Sequence, residues 1–275
     1  MRHLKHEAEF CVVGGGLSGM AAAIAAARHG VKTVLMQDRP VLGGNASSEV
    51  RMWVCGARGR DNRETGIVEE LLLENLYRNP MRNYTMWDAI LWAKVRYQEN
   101  LTLLLNCSCN DLVMDGDRIR SVKGWQGTAE TWHTVEADLF ADCSGDSVLA
   151  PLSGAEFRVG REASSEFDES IEPEQADKKT MGMSCLIQAR ETDRPQRFIP
   201  FPWAEVYPGE DSLPHRDHRL PQSNFWWIEL GGDWETELDE VLDELADQVA
   251  AMRKDPRRRK VAVAQVRDWI GAGRI

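Results

Sequence analysis

Residues Phe10 to Asn45 constrain this chain more than any other stretch. Phe10 to Val13 is a short apolar run that suits a strand buried on both faces. Gly14-x-Gly16-x-x-Gly19 follows at once, then an alanine-rich segment of helical composition, and Lys32 to Met36 is a second apolar run. Strand, glycine turn, helix and strand make a βαβ unit whose turn has the pattern of a dinucleotide-binding site. Gly14 permits the tight turn, Gly16 lets the backbone approach a pyrophosphate, and Gly19 lets the helix pack closely on the strands. Leu17 and Ser18 open the helix, whose unpaired N–H groups point at an anion. Gly30 stands where a left-handed residue would end that helix.

A dinucleotide ribose meets an acidic residue about 20 residues beyond the glycines. The sequence has Gln37 and then Asp38 there, and the amide of one and the carboxylate of the other are both candidates. Arg39 is a candidate for a 2′-phosphate, with a solvated turn as the favoured reading. Gly43-Gly44 follow soon after. The set Gly14-x-Gly16-x-x-Gly19-x-x-x-Ala23, Gly30 and Gly43-Gly44 resembles FAD-dependent oxidoreductases of the glutathione-reductase-like, two-dinucleotide-binding-domain superfamily. Gly43-Gly44-Asn45-Ala46-Ser47, running on through Glu49 and Arg51 to Trp53, is similar to a Gly-Gly-Asn-Ala-Ser subgroup of unknown substrate. It is also similar to the matching segment of flavin-dependent fumarate reductases. The resemblance implies FAD as cofactor, with Asn45 and Ser47 near the pyrophosphate and flavin. It disfavours an NAD-only dehydrogenase.

The chain is 275 residues long, enough for one large or two modest domains. Its net charge of −11 argues against nucleic acid and anionic membranes as partners. An anionic cofactor remains compatible, because backbone N–H groups would capture it. No apolar run approaches ~18 residues and no signal core opens the chain, so no membrane span is expected and a cytoplasmic protein is. The six cysteines form neither a disulfide framework nor zinc-type pairs. With no Cys-x-x-Cys, a disulfide reductase is disfavoured, and Cys55 is a weak catalytic candidate. Four glycosylation sequons, at Asn45, Asn83, Asn100 and Asn106, are taken as chance.

Residues 1–9 read as a charged lead-in, and residues 38–64 as a long connection rich in arginine. Arg51 and Arg58 there are candidate binders of an anionic substrate or of cofactor phosphates, with an ordinary surface loop as the alternative. Trp53 faces either a flavin or the core. Helices are expected from Thr65 to Leu76, with Ile67, Leu71, Leu72 and Leu73 as the stripe and Glu69, Glu70 and Glu74 in water. A second runs from Met86 to Gln98, with Ile90, Leu91 and Val95 inward. Strands follow at Leu101 to Leu105, Cys109 to Met114, Arg118 to Trp125 and Thr131 to Val135, with Asp115-Gly116-Asp117 as a hairpin turn. The resemblance implies an adenine contact from the backbone at Cys109. Ala137 to Ser147 reads as a strand entering a Gly-Asp turn. It resembles the element that closes the FAD site, with Gly145 beside the cofactor and Asp146 capping the next segment.

Further on, Thr180 to Ala189 and Ser223 to Leu230 read as strands, and Thr236 to Lys254 and Val261 to Ile270 as helices. His215 and His218 lie among prolines and are read as surface residues, so no metal is assigned. The expected fold is α/β: a Rossmann-like FAD-binding domain (residues 1–155) with a parallel sheet and a three-stranded antiparallel meander, then a partial α+β substrate domain (residues 156–275) with C-terminal helices. Members of the resembled family are longer, which implies a C-terminal truncation. Two functions follow: an FAD oxidoreductase moving a hydride between a small organic substrate and flavin, or a non-catalytic dinucleotide-binding fragment. The second includes one half of a split enzyme completed by a partner chain or self-association. No catalytic acid or base is assigned.

Overall fold

The computed structural model describes residues 1–52, 54–56, 59–60, 62–179, 183–188, 192–197, 199, 201–203 and 225–230. In chain order the elements are β1 (Arg2–Glu7), β2 (Phe10–Val13), α1 (Leu17–Arg28), β3 (Thr33–Met36), α2 (Gly66–Arg78), α3 (Tyr84–Arg96), β4 (Leu101–Leu104), β5 (Cys107–Asp115), β6 (Arg118–Gln126), β7 (Thr131–Glu136), β8 (Leu139–Asp142), α4 (Leu149–Ser153), α5 (Ser164–Phe167), β9 (Met183–Gln188) and β10 (Phe225–Leu230). The chain divides into two units, Met1–Phe157 with Ser184–Glu229 and Arg158–Met183 with Leu230–Ile275.

In the first unit four strands form a parallel sheet in the order β4-β3-β2-β8. Alternate residues of these strands feed two separate cores. Val12 and Leu35 face Met20, Ile24, Leu71, Leu91 and Val95 from the helices. Cys11, Val13, Val34 and Met36 face Cys107, Val122 and Val135 from the second sheet. Both faces of β2 and β3 are therefore covered, which is why their sequences are apolar without alternation.

α1 lies close because its packed face is small: Gly19, Ala23 and Ala27 are buried beside Met20 and Ile24. Gly30 ends it at φ 87°, and the Val31 N–H returns to the Ala26 carbonyl at 3.1 Å. α3 starts on Asn83, whose side chain accepts from the N–H groups of Thr85 and Met86. Ile90, Leu91 and Val95 are buried as expected, together with Trp87 and Asp88.

α2 departs from its expected pattern. Leu73 is exposed, and Glu70 and Glu74 are half-shielded rather than free in water. The reason is Lys94 of α3, whose Nζ lies 2.7 Å from Glu70 and 2.8 Å from Glu74. Arg28 of α1 adds a two-pronged pair to Glu70 at 2.9 Å. Hydrogen bonds from Arg28 and then Lys94 hold the Glu70 carboxyl down at about 2.

The meander gains a strand that the sequence reading took for a lead-in. β5, β6 and β7 are antiparallel, and β1 adds to the edge of β7 in parallel, pairing Arg2 with Thr131 through Glu7 with Glu136. β5 also begins at Cys107, before the expected start at Cys109. At the β1–β7 seam His6 Nε2 and His133 Nδ1 lie 2.9 Å apart, and His133 Nε2 lies 3.2 Å from Gln126 Oε1. Burial lowers both histidines below their ordinary value, and the neighbouring His6 lowers His133 further.

β9 and β10 pair as a two-stranded sheet. In the second unit Arg161 and Asp177 bond backbone to backbone in both directions and pair as ions around the turn that carries α5. The expected helices at 236–254 and 261–270, with His215, His218, Trp53 and Arg58, lie outside the described residues.

Candidate functional site

The glycine turn sits at the carboxyl ends of the parallel strands, where α/β sheets hold their ligands. Gly14 adopts φ 105° with its N–H on the Met36 carbonyl at 2.8 Å. A Cβ on Gly14 would overlap the Cys143 carbonyl, and one on Gly19 would overlap the Gly14 carbonyl oxygen. These two glycines are therefore required by packing. Gly16 differs, because nothing lies within 4 Å of the position its Cβ would take. It is also the N-cap of α1, and no side chain caps that helix end. Open space and an uncapped helix N-terminus thus coincide at Leu17 and Ser18, a setting that suits a phosphate.

The second glycine pair is brought against the first. Gly43 N–H donates to the Gly15 carbonyl at 2.8 Å, Gly43 bridges Gly16 in parallel, and a Cβ on Gly44 would stand 3.3 Å from Gly16 Cα. Asn45 follows in a 3-10 turn with its side chain exposed. Ser47 is 0% exposed and its Oγ accepts from the Glu49 N–H at 3.3 Å, so its hydroxyl braces the segment from inside.

α3 holds this segment through three residues on one of its faces, a feature the sequence reading missed. Tyr84 Oη donates to the Arg51 carbonyl at 2.8 Å, and Trp87 Nε1 donates to the Ala46 carbonyl at 3.0 Å. Asp88 Oδ1 accepts from the Ser48 N–H at 2.9 Å. Their i, i+3, i+4 spacing places all three along one stripe. Leu91, one turn on, occupies the room that a Cβ on Gly43 would need. Spacing alone hinted at a face, but a buried tryptophan and aspartate read as core and solvent residues until their acceptor and donor are seen.

A cavity opens at the same end of the sheet, lined by Gly14, Asp38, Cys107, Cys109, Ser144 and Asp146 among others. Asp38 reaches it as an exposed carboxylate beside Arg39, whose guanidinium also lies 3.6 Å from Glu49. Arg39 is thus an ion-paired turn residue. Gln37 is 4% exposed; its Oε1 accepts from the Gly15 N–H at 2.6 Å and its Nε2 donates to the Val41 carbonyl at 3.0 Å. Its amide is engaged at both ends, and of the two ribose candidates Asp38 is the one that lines the cavity. Burial pushes the Cys107 thiol up to about 12 and the Cys109 thiol up to about 11, so both line the cavity as small neutral groups.

The closing turn corrects one expectation. Asp142 accepts from the Ser144 N–H at 3.0 Å and from the Leu149 N–H at 2.6 Å, and the Ser144 hydroxyl accepts from the Val148 N–H at 3.1 Å. The start of α4 is therefore tied by Asp142 and Ser144, while Asp146 is exposed at the rim. Gly145 takes φ 83° with open space beside it.

Over residues 9–265 the chain matches the family described as FAD dependent oxidoreductase. It belongs to that family. FAD is accordingly its cofactor. Among solved structures, the chain is similar to THI4 of Thermovibrio ammonificans, at 17% identity over 62% of this chain and 76% of that one (TM-score 0.40). It is similar to a geranylgeranyl bacteriochlorophyll reductase-like protein of Thermoplasma acidophilum, at 16% identity over 56% of this chain and 43% of that one (TM-score 0.39). It is also similar to the L-proline dehydrogenase of P. horikoshii, at 16% identity over 52% of this chain and 24% of that one (TM-score 0.33). The chain thus spans less than half the length of the last two. Among the described residues no helix is long and apolar enough to cross a membrane.

Proposed function

We propose that this chain holds FAD for the transfer of a hydride between a small organic substrate and the flavin. The observation that carries this is the coincidence at Gly16 of open space, an uncapped helix N-terminus and a second glycine segment hydrogen-bonded alongside. Within the turn Gly14, Gly15 and Gly19 are crowded while Gly16 leaves the backbone bare, which fits the diphosphate. In this reading the N–H groups at Leu17, Ser18 and Gly19 hold the phosphates, with Gly14, Gly43, Gly44 and Asn45 around them. The Asp38 carboxylate accepts from ribose hydroxyls, the backbone at Cys109 receives the adenine, and Gly145 and Asp146 border the cofactor. When bound, FAD supplies the capacity to take up or release a hydride, and the protein supplies orientation and electrostatics.

The test is the visible absorption of the purified protein before and after adding FAD. Flavin bands that stay with the protein through gel filtration are expected. A protein that binds ADP and ignores FAD would instead be a dinucleotide-binding fragment or half of a split enzyme, completed by a partner chain or a second copy. A protein that binds neither would sink the assignment of the glycine turn.

A further inference from the structure

Two features of Arg51 occur together in no other described arginine. Its φ is 68°, a left-handed conformation that an arginine rarely adopts. Its Nε is buried without a hydrogen-bond partner. Among the described residues no carboxylate pairs with its guanidinium.

The unfavourable backbone is enforced from both ends. The Arg51 N–H donates to the Ser47 carbonyl at 2.7 Å, and its carbonyl accepts from Tyr84 Oη at 2.8 Å. The Met52 N–H returns to the Asn45 carbonyl at 2.8 Å, folding Arg51 into the segment that begins against the glycine turn. Strain of this kind persists where the surrounding structure imposes it, and it gathers at ligand clamps. A planar guanidinium with an unused donor is suited to a planar or tetrahedral oxyanion.

We propose that Arg51 is the receptor for an oxyanion, supplied either by a carboxylate of the substrate or by a phosphate of the cofactor. This deepens the FAD-dependent reading and rests on it for the identity of the two sources. Tyr84 and Ser47 set the backbone, and Arg51 supplies the charge and the donors.

The experiment compares wild type with Arg51→Lys, Arg51→Gln and Arg51→Gly by isothermal titration with FAD, inorganic pyrophosphate and a series of carboxylates from acetate to citrate. Arg51→Gly suits the left-handed backbone, so a melting curve at or above that of wild type separates lost binding from a lost fold. At least tenfold weaker binding of one class of probe in Arg51→Gln and Arg51→Gly is expected, with part of it restored in Arg51→Lys. Loss confined to FAD and pyrophosphate assigns the oxyanion to the cofactor; loss confined to carboxylates assigns it to the substrate. Variants that bind every probe as wild type does overturn the proposal. If wild type binds FAD and the variants match it for all probes, the receptor falls while the FAD reading stands. If FAD does not bind but a carboxylate or pyrophosphate depends on Arg51, the FAD reading falls and the receptor stands.

Discussion

The turn at Gly14–Gly19 and the segment at Gly43–Met52 lie side by side and are held by opposite means. In the turn, Gly14 and Gly19 are fixed by missing atoms: main chain touches main chain where any Cβ would overlap. The segment is fixed by added atoms, in that an indole, a phenol and a carboxylate from one helix reach over and bond its backbone. A shape made by absence cannot be adjusted by neighbours and fails outright when a methyl group intrudes. A shape made by side-chain hydrogen bonds weakens one bond at a time.

Substitutions can break this contrast. Gly19→Ala has the largest expected effect, since its methyl group meets the Gly14 carbonyl oxygen; a loss of about 3 kcal/mol or more in urea denaturation is expected. Gly16→Ala sharpens the comparison within the same turn. Its backbone at φ −64° accepts alanine and the added methyl meets nothing. Stability should stay within about 0.5 kcal/mol of wild type, while FAD binding measured by fluorescence titration should weaken by about tenfold or more. Equal losses of fold in both variants would show that the turn is a single packing unit with no open side.

Trp87→Phe probes the segment. It keeps most of the ring and leaves the Ala46 carbonyl unsatisfied, at an expected cost of about 1 to 2 kcal/mol. A loss as large as that of Gly19→Ala would mean that the segment is as intolerant as the turn. The smallest effect lies away from the site, at the β1–β7 seam. Burial holds the folded-state values of His6 and His133 below 6.5, so their neutral forms favour the fold. Stability present above that value should therefore fall as the pH drops from about 7.5 to about 5.5, because the unfolded chain takes up protons first. Melting temperatures across that range should show the slope, and His133→Gln should flatten it.

Legibility in the sequence followed the same division. Phe10–Met36 could be read because apolar runs and glycines at fixed spacing leave few alternatives, and the hairpin turn at Gly116 was legible because its φ of 63° favours glycine. Ile90, Leu91 and Val95 were legible from helical period. What resisted were groups whose role depends on a partner distant in sequence. Gln37 looks like a ribose ligand until Gly15 and Val41 occupy its amide. Glu70 looks solvated until Arg28 and Lys94 converge on it. Asp146 sits where a cap is expected, yet Asp142 reaches the helix first. β1 was missed because its residues are mostly exposed and carry no apolar alternation; it becomes a strand only because β7 offers an open edge.

That last strand has a consequence for how the chain is made. His6 and His133 are 127 positions apart, so β1 leaves the ribosome long before the edge it will join. At typical elongation rates the wait is roughly ten seconds. An apolar strand left unpaired for that time would invite other nascent chains to pair with it, whereas Arg2, His3, Lys5, His6 and Glu7 make this one a poor template. The charges that conceal β1 from pattern reading are those that keep it available until its partner arrives.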